Sequence, residues 1–356
     1  MSLLWMEYDT DFQNLADTVF ECECQGDPDY YLTLTPKVKK IISRDTRYNI
    51  DFLYTAYLLN DDQIMIDYAA WLFQLMAGIF KNQSHQQTAD YVCEHLGYIK
   101  DAVKKCISAE KQPRLLSLLD LSIDSVRSAC DTISNQIGHP SSYEAEIEEY
   151  LNSLFAKDMR KTMYLVSQFA KRHIPLNDIY VEILAESMYR IGDLWHTSKI
   201  TVDMEHYCTS VTQMAMSQLY PQLFETPRKC KKVLCACPGT ELHEMGARMV
   251  ADLFENDGWD SIYLGAAVPE DAMLDAIRTS KPDLIALSVT MPQHLLDCRD
   301  LISSIRKEFP NAVIAVGGNA FNSTNEIWKK WPVDIYTKDA RDLLARANSL
   351  FGRPAH

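Results

Sequence analysis

Apolar residues recur at helical spacing through the first part of the chain. From Tyr48 to Phe80 they repeat every three or four positions on both sides of the polar break Asn60-Asp61-Asp62, which indicates two amphipathic helices. Residues 86–107 and 113–136 show the same period. We therefore expect residues 1–137 to form an all-helical N-terminal domain.

The pattern changes at both ends of this domain. Its first roughly forty residues carry a turn signal at Gly26-Asp27-Pro28, so we expect an irregular arm or cap there. At the other end, the turn-rich segment Gly138-His139-Pro140-Ser141-Ser142 precedes a second set of helical patterns. These patterns predict a four-helix bundle over residues 142–226, with helices at 143–157, 159–173, 176–195 and 201–222.

Short apolar runs that suit buried strands begin after residue 227. They alternate with helical stretches of roughly ten to eighteen residues, and this alternation is typical of a parallel sheet with helices on both faces. The runs lie at 233–236, 261–264, 284–289, 313–316 and 334–336. We therefore expect residues 228–356 to form a flavodoxin-like or Rossmann-like domain. The predicted fold class is mostly α plus α/β.

Composition excludes some partners and compartments. The chain has 35 Lys and Arg against 49 Asp and Glu, a formal charge of −14, which repels nucleic-acid phosphates and anionic membrane surfaces. No apolar run approaches the ~20 residues needed to cross a bilayer. The start of the chain has no signal-peptide pattern, so its ten cysteines are expected to be reduced thiols in the cytoplasm. The pairs Cys22/Cys24 and Cys235/Cys237 have one intervening residue and fit structural zinc sites poorly.

The loop after the first predicted strand contains the most informative side chains. Ligands of open α/β sheets bind at the carboxyl ends of the strands, and this loop presents His243 with Glu241 two residues earlier and Gly246 three residues later. A histidine at this place can ligate a metal or act as a base, or it can simply cap or pack the helix that follows. The loop alone leaves these alternatives open.

Two further elements lie in register with this loop. Forty-one residues separate Gly246 from Ser288-Val289-Thr290, and twenty-six more precede Gly317-Gly318. This spacing resembles the cobalamin-binding domain of vitamin B12 proteins, although Glu241 and Thr290 stand where that family commonly has Asp and Leu. The resemblance implies that His243 is the lower axial ligand of cobalt and that Ser288, Thr290, Gly317 and Gly318 line the slot for the nucleotide tail.

General chemistry agrees with this resemblance. A neutral imidazole is a good cobalt ligand, and a carboxylate on its other ring nitrogen fixes the tautomer and raises the basicity, a part that Glu241 can play. Gly317 and Gly318 lack a Cβ, so their backbone can approach a bulky ligand closely, although glycines at a simple turn would look the same.

The predicted bundle carries a second motif. Trp195-His196 is followed by Glu205-His206, with nine residues between Trp195 and Glu205. This pattern resembles the helical bundle of CarH/LitR-type light-dependent regulators, and residues 142–350 match that two-domain module in order and length. The resemblance implies that Trp195 packs on the upper corrin face with Glu205 and His206 nearby, and that His196 takes the upper cobalt position after photolysis. Without the downstream motif, Trp195 would be interpreted as a core residue, and the His and Glu residues of this motif as solvent-exposed.

The resemblance ends before residue 138, because no basic DNA-reading helix is visible there. Residues 1–137 are instead expected to pair subunits or to dock a partner. We interpret the chain as a cytoplasmic cobalamin sensor rather than an enzyme. It is expected to use adenosylcobalamin, to respond to light, to form a homo-oligomer and to signal to a transcription regulator or another signalling protein without binding nucleic acid or membrane. The rival interpretation is a corrinoid protein that carries a methyl group on cobalt, as methylcobalamin, in a methyltransferase system; cobalamin storage or trafficking is a third.

Overall fold

The chain divides into two compact units. A computed structural model describes residues 9–132 and 137–352. Of the described residues, the first unit comprises 9–132 with 323–327, and the second comprises 137–322 with 328–352. None of the helices in the described part of the chain is both long and apolar enough to span a membrane.

Within residues 9–132, the first unit consists of helices connected by short turns. Thr35 caps the long fourth helix through its side chain, and Asn60 ends that helix in the left-handed conformation. Ser84 and Gln87 form a reciprocal capping box at the start of the sixth helix. The helices are α1 (Thr10–Gln13), α2 (Leu15–Gly26), α3 (Pro28–Thr33), α4 (Pro36–Leu59), α5 (Gln63–Ile79), α6 (His85–Cys106) and α7 (Gln112–Asp131).

The prediction of an irregular N-terminal arm is wrong from residue 10 onward. Leu15, Val19 and Cys22 are buried at helical spacing along α2, so this segment is part of the core. The turn signal at Gly26-Asp27-Pro28 separates α2 from α3 and does not end the helical structure. The predicted helix 113–136 ends at Asp131, and residues 133–136 of that prediction, like residues 1–8, lie outside the described residues.

The second unit begins with a helical bundle. One helical segment within it changes its hydrogen-bond period: α10 (Leu176–Asp178) continues into a π-helix over Ile179–Ala185 and then into α11 (Glu186–His196). The other members are α8 (Glu144–Phe155), α9 (Met159–Lys171), α12 (Val202–Met216) and, after a 3-10 turn, α13 (Tyr220–Leu223). Their buried apolar side chains form one cluster, which also takes in Met249 and Leu253 from the region that follows.

Within residues 228–352 a parallel sheet of five strands follows the bundle. The strands are β1 (Lys232–Pro238), β2 (Asp260–Val268), β3 (Leu284–Ser288), β4 (Val313–Gly317) and β5 (Ile335–Tyr336), in the spatial order β2-β1-β3-β4-β5. The helices between the strands are α14 (Met245–Asn256), α15 (Glu270–Ser280), α16 (Leu295–Glu308) and α17 (Asn319–Asn322), and α18 (Ala340–Phe351) follows the last strand. The predicted fold class, helical regions followed by a Rossmann-like parallel sheet, is confirmed.

Polar side chains join the bundle to the sheet region. The guanidinium of Arg248 on α14 donates to the Gln213 carbonyl and to the hydroxyls of Ser217 and Tyr220. One turn further along the same face of α14, the buried Asp252 carboxylate accepts from the Tyr180 hydroxyl of the π-helix at 2.9 Å. The bundle is therefore fastened to the helix that directly follows the His243 loop.

Candidate functional site

The carboxylate of Glu241 organises the loop after β1. It is fully buried, and its Oε1 accepts from the backbone N–H of His243 at 2.9 Å and from His243 Nδ1 at 2.6 Å. Its Oε2 accepts from the backbone N–H groups of Thr290 and Met291 at 2.8 Å each. One side chain thus links the loop after β1 to the loop after β3 and occupies one ring nitrogen of His243.

These bonds set the electrostatics of the pair. Burial disfavours a charged Glu241, but the hydrogen bonds from His243 and from the backbone of Met291 outweigh it and hold the pKa of the carboxyl at about 2. The bond to Glu241 in turn raises the pKa of His243 against the opposing effect of burial. Because Nδ1 is committed to Glu241, Nε2 is the ring nitrogen left for a metal, and 57% of the side chain is exposed.

A cavity of about 280 Å³ opens at the carboxyl ends of the strands beside this loop. It lies between the sheet, α14, α18 and the bundle. Gly246, Ser288, Gly317 and Gly318, all predicted from the sequence, are among its lining residues. Thr290 is not among them, and its described role is the backbone bond to Glu241.

The glycines of this cavity differ in what a side chain would meet. At Gly318 the backbone has φ +98, and a Cβ would lie 2.3 Å from the Val289 carbonyl oxygen, so the backbone itself requires glycine. At Gly317 the nearest atom would be 3.2 Å away, and at Gly246 the nearest would be Ser288 Oγ at 3.9 Å. A methyl group at Gly246 would therefore take up cavity space without disturbing the protein.

The bundle motif lies on two consecutive helices. Trp195 and His196 end α11 and are partly buried, whereas Glu205 and His206 are in the first half of α12. The Glu205 carboxylate accepts from His206 Nδ1 at 2.6 Å and from the Thr209 hydroxyl at 2.9 Å. After the bond to Glu241, the charge of Glu205 makes a smaller contribution to the raised pKa of His243.

The structure adds residues that sequence reasoning missed. Val181, Ala185 and Tyr189 of the π-helix and α11 form the bundle wall of the cavity. They lie four residues apart, so the sequence pattern does not distinguish them from residues on any other packed helix face. Glu244, next to His243, accepts from Gln213 of α12 at 3.2 Å and ties the loop to the bundle. The sequence does not reveal this bond, because Gln213 and Glu244 are polar residues 31 positions apart.

The metal-binding side chains of this site fit a cofactor that itself supplies most of the ligands of its metal ion. In the described ranges no group of three or more His, Cys, Asp and Glu side chains is arranged to hold a metal ion, and all ten cysteines are free thiols. A corrin supplies four nitrogen donors to its cobalt and needs a single axial ligand from the protein, which His243 can provide. The backbone cradle at Gly317 and Gly318 and the adjoining cavity fit its nucleotide tail.

Comparisons with known proteins point to the same cofactor. Residues 231–344 match a family model described as B12 binding domain, and residues 146–220 match a second model with the same description. The chain is 27% identical over 165 residues to the HTH-type transcriptional repressor CarH of Myxococcus xanthus, covering 46% of this chain and 54% of that protein. It thus spans about half the length of that relative.

Corrinoid proteins are similar to the same region. The chain is 20% identical over 210 residues to dimethylamine corrinoid protein 3 of Methanosarcina acetivorans, covering 58% of this chain and 97% of that protein. The solved structure of the Methanosarcina barkeri monomethylamine corrinoid protein superposes with a TM-score of 0.53 at 17% identity, covering 59% of this chain and 100% of that one. At this identity the superposition shows the shared fold.

Fold, site and matched domains together define a cobalamin-binding protein. Its helical bundle and sheet domain resemble the CarH-type module, as the sequence motifs predicted.

Proposed function

We propose that this protein is a sensor that uses adenosylcobalamin, responds to light and signals through protein contacts. The observation that carries the proposal is that α11 bears both Tyr189, which lines the cavity, and the Trp195-His196 pair, while Glu205-His206 lies on the next helix. A cobalt ligand from the sheet domain together with such a helical cap would let a change at the cofactor act on the protein. The match to a transcriptional repressor over 165 residues supports a regulatory role.

The chain's own residues would hold and read the cofactor. When bound, adenosylcobalamin supplies a cobalt–carbon bond that light can break. His243 would hold the cobalt through Nε2, with Glu241 fixing its tautomer. Trp195 would pack on the cofactor, and His196 would serve as a second cobalt ligand in the illuminated state. A change in these contacts would shift the populations of the arrangements of α11 and α12.

Two sets of hydrogen bonds would transmit such a shift from the bundle to the helix after the His243 loop. Gln213 binds Glu244, and Arg248 binds groups on α12 and α13. Residues 142–226 would act as the cap and residues 228–356 as the cofactor domain. Residues 1–137 would pair subunits in a homo-oligomer or dock a partner, and the net charge of −14 suits a basic surface such as that of a transcription regulator.

A second candidate function is methyl transport on cobalt between two enzymes. It is favoured by the similarity that spans 97% of a dimethylamine corrinoid protein, where the repressor is covered over about half its length. In that case the cofactor would be methylcobalamin, and the bundle would cover it between transfers without a response to light.

Absorption spectroscopy separates the two candidates. The protein is reconstituted in the dark with adenosylcobalamin or methylcobalamin, and spectra and elution volume are recorded before and after green light. A sensor is expected to give a stable illuminated spectrum of bis-imidazole type with a changed elution volume. Tight binding with no light-dependent change in the protein would favour the methyl carrier, and no binding would overturn both.

Two histidine variants test the assigned roles. His243→Ala should lose the spectrum of the axial imidazole in the dark, whereas His196→Ala should alter only the illuminated spectrum. His85→Ala, an exposed histidine at the start of α6, serves as the matched control and should behave as the wild type. Identical illuminated spectra for His196→Ala and the wild type would contradict the role proposed for His196.

A further inference from the structure

Two rows of side chains lie at different depths in the cavity beside the His243 loop, which we call the slot. Cys235, Ala286 and Ala315 lie opposite one another on β1, β3 and β4, so they form one row across the sheet. Ser288 and Gly317 form a second row, two residues nearer the carboxyl ends. Because side chains alternate between the faces of a strand, both rows lie on the same face. The first row is the floor of the slot and the second belongs to its mouth.

Polarity decreases from mouth to floor. Tyr189, Lys338 and Asp339 line the cavity and are exposed, so they belong to its mouth. The three floor residues belong instead to the buried apolar cluster on this face of the sheet. Burial raises the pKa of the Cys235 thiol, which is therefore protonated and offers one weak hydrogen-bond donor. Two alanines and a thiol leave room at depth and present almost no polar partner.

The tail of a corrinoid has a fixed covalent order. Phosphate follows the corrin side chain, ribose follows phosphate and the lower base comes last, so a tail that enters from the mouth carries its base to the floor. We propose that this slot selects corrinoids whose lower base is a benzimidazole over those whose lower base is a purine. This inference rests on the proposed cobalamin function.

We expect this selection between lower bases because polar groups of a purine would find no hydrogen-bond partner at the floor. Dimethylbenzimidazole brings two methyl groups and a single free ring nitrogen, which the Cys235 thiol can face. Adenine brings an exocyclic amine and additional ring nitrogens, and the sheet beneath it has its backbone groups paired in the ladder. Each buried group without a partner weakens binding, so we expect the adenine corrinoid to bind about 5 to 150 times more weakly.

The test compares dissociation constants of three corrinoids for the full chain. Cobalamin has the dimethylbenzimidazole base, pseudocobalamin has adenine, and cobinamide lacks the nucleotide altogether. We expect cobalamin to bind tightest. Equal affinity for cobalamin and pseudocobalamin, or for cobalamin and cobinamide, overturns the inference while leaving the cobalamin function intact. No binding of any of them overturns the proposed function as well.

Floor variants connect the selection to the named residues. Ala286→Ser places a hydroxyl at the floor and should bring the ratio between the two nucleotide corrinoids several-fold closer to one. Ala315→Ser is a second variant of the same kind, and Ala276→Ser on α15, outside the cavity lining, is the matched control. Unchanged cobinamide affinity reports that a variant is folded. An unchanged ratio in both folded floor variants would contradict the assignment of this floor.

Discussion

Replacement of Asp252 by Asn should stabilise the protein at neutral pH. Asp252 is on α14 and is 7% exposed, and its carboxylate accepts from the Tyr180 hydroxyl. Burial raises its pKa from 3.8 to about 6 despite that bond and the nearby charge of Arg248. The buried charge is therefore costly above the folded-state pKa, and a neutral amide that can still accept from Tyr180 removes the cost.

The magnitude follows from the displaced pKa. Since one pKa unit corresponds to about 1.4 kcal/mol, the change from 3.8 to about 6 is worth roughly 3 kcal/mol. The folded carboxyl binds its proton more tightly than the unfolded one, so the penalty is complete above about pH 6 and disappears below about pH 3.8. The displaced pKa already includes the attraction to Arg248. The amide brings N–H groups that need partners in a buried site, which reduces the gain, and we expect about 1–3 kcal/mol at pH 7.5.

Urea unfolding of the wild type and Asp252→Asn between pH 4 and pH 8 measures this difference. The gain in the free energy of unfolding should be largest at pH 7.5 and should shrink toward zero near pH 4. Asp271→Asn, which changes an exposed carboxylate on α15, is the control and should alter stability little at any pH. A gain that does not depend on pH, or a loss at pH 7.5, would refute the reasoning.

Three further substitutions test the slot and its wall. Gly318→Ala places a Cβ against the Val289 carbonyl and should lower the free energy of unfolding by about 1–3 kcal/mol in urea titrations. Gly246→Ala should leave stability unchanged or raise it by up to about 1 kcal/mol, yet weaken cobalamin binding in equilibrium titrations. Arg341→Ala removes two ion pairs, one to α10 and one to the π-helix. It should lower the free energy of unfolding by about 0.5–1 kcal/mol and speed cobalamin release in stopped-flow measurements. Arg346→Ala, on the same helix, is the control and should do neither.

Much of the architecture could be predicted because it is encoded locally. The strand at residues 284–289 and the helix break at Asn60 follow from short apolar runs and turn residues, and the structure has β3 and the end of α4 at these places. The His243 loop was found because its imidazole, acid and glycine lie within six residues. Local signals of this kind survive in a single sequence because they need no information about distant parts of the chain.

The long-range polar bonds could not be predicted. The Thr290 amide binds Glu241 across 49 positions, and a backbone donor leaves no signature in the sequence. In the first unit, His95 binds the buried Glu23 across 72 positions, although each residue alone is typical of a solvated helix face. The helices before residue 36 were missed for a related reason, since turn residues near Gly26 concealed a short buried stripe.

The π-helix over Ile179–Ala185 accommodates one extra residue in a helix that lines the cavity beside the His243 loop. A π-helix takes up one more residue than an α-helix between hydrogen-bonded groups. Removal of one residue there would restore α-helical bonding and turn the residues after it only slightly around the helix axis, because seven residues of π-helix and six of α-helix sweep similar angles. Trp195 and His196 lie downstream on the same continuous helix, so they would stay near the face they now occupy. In an alignment of relatives, a single gap at 179–185 would therefore be compatible with the same placement of these two residues, whereas a gap within the regular α11 before Trp195 would turn them by about 100°.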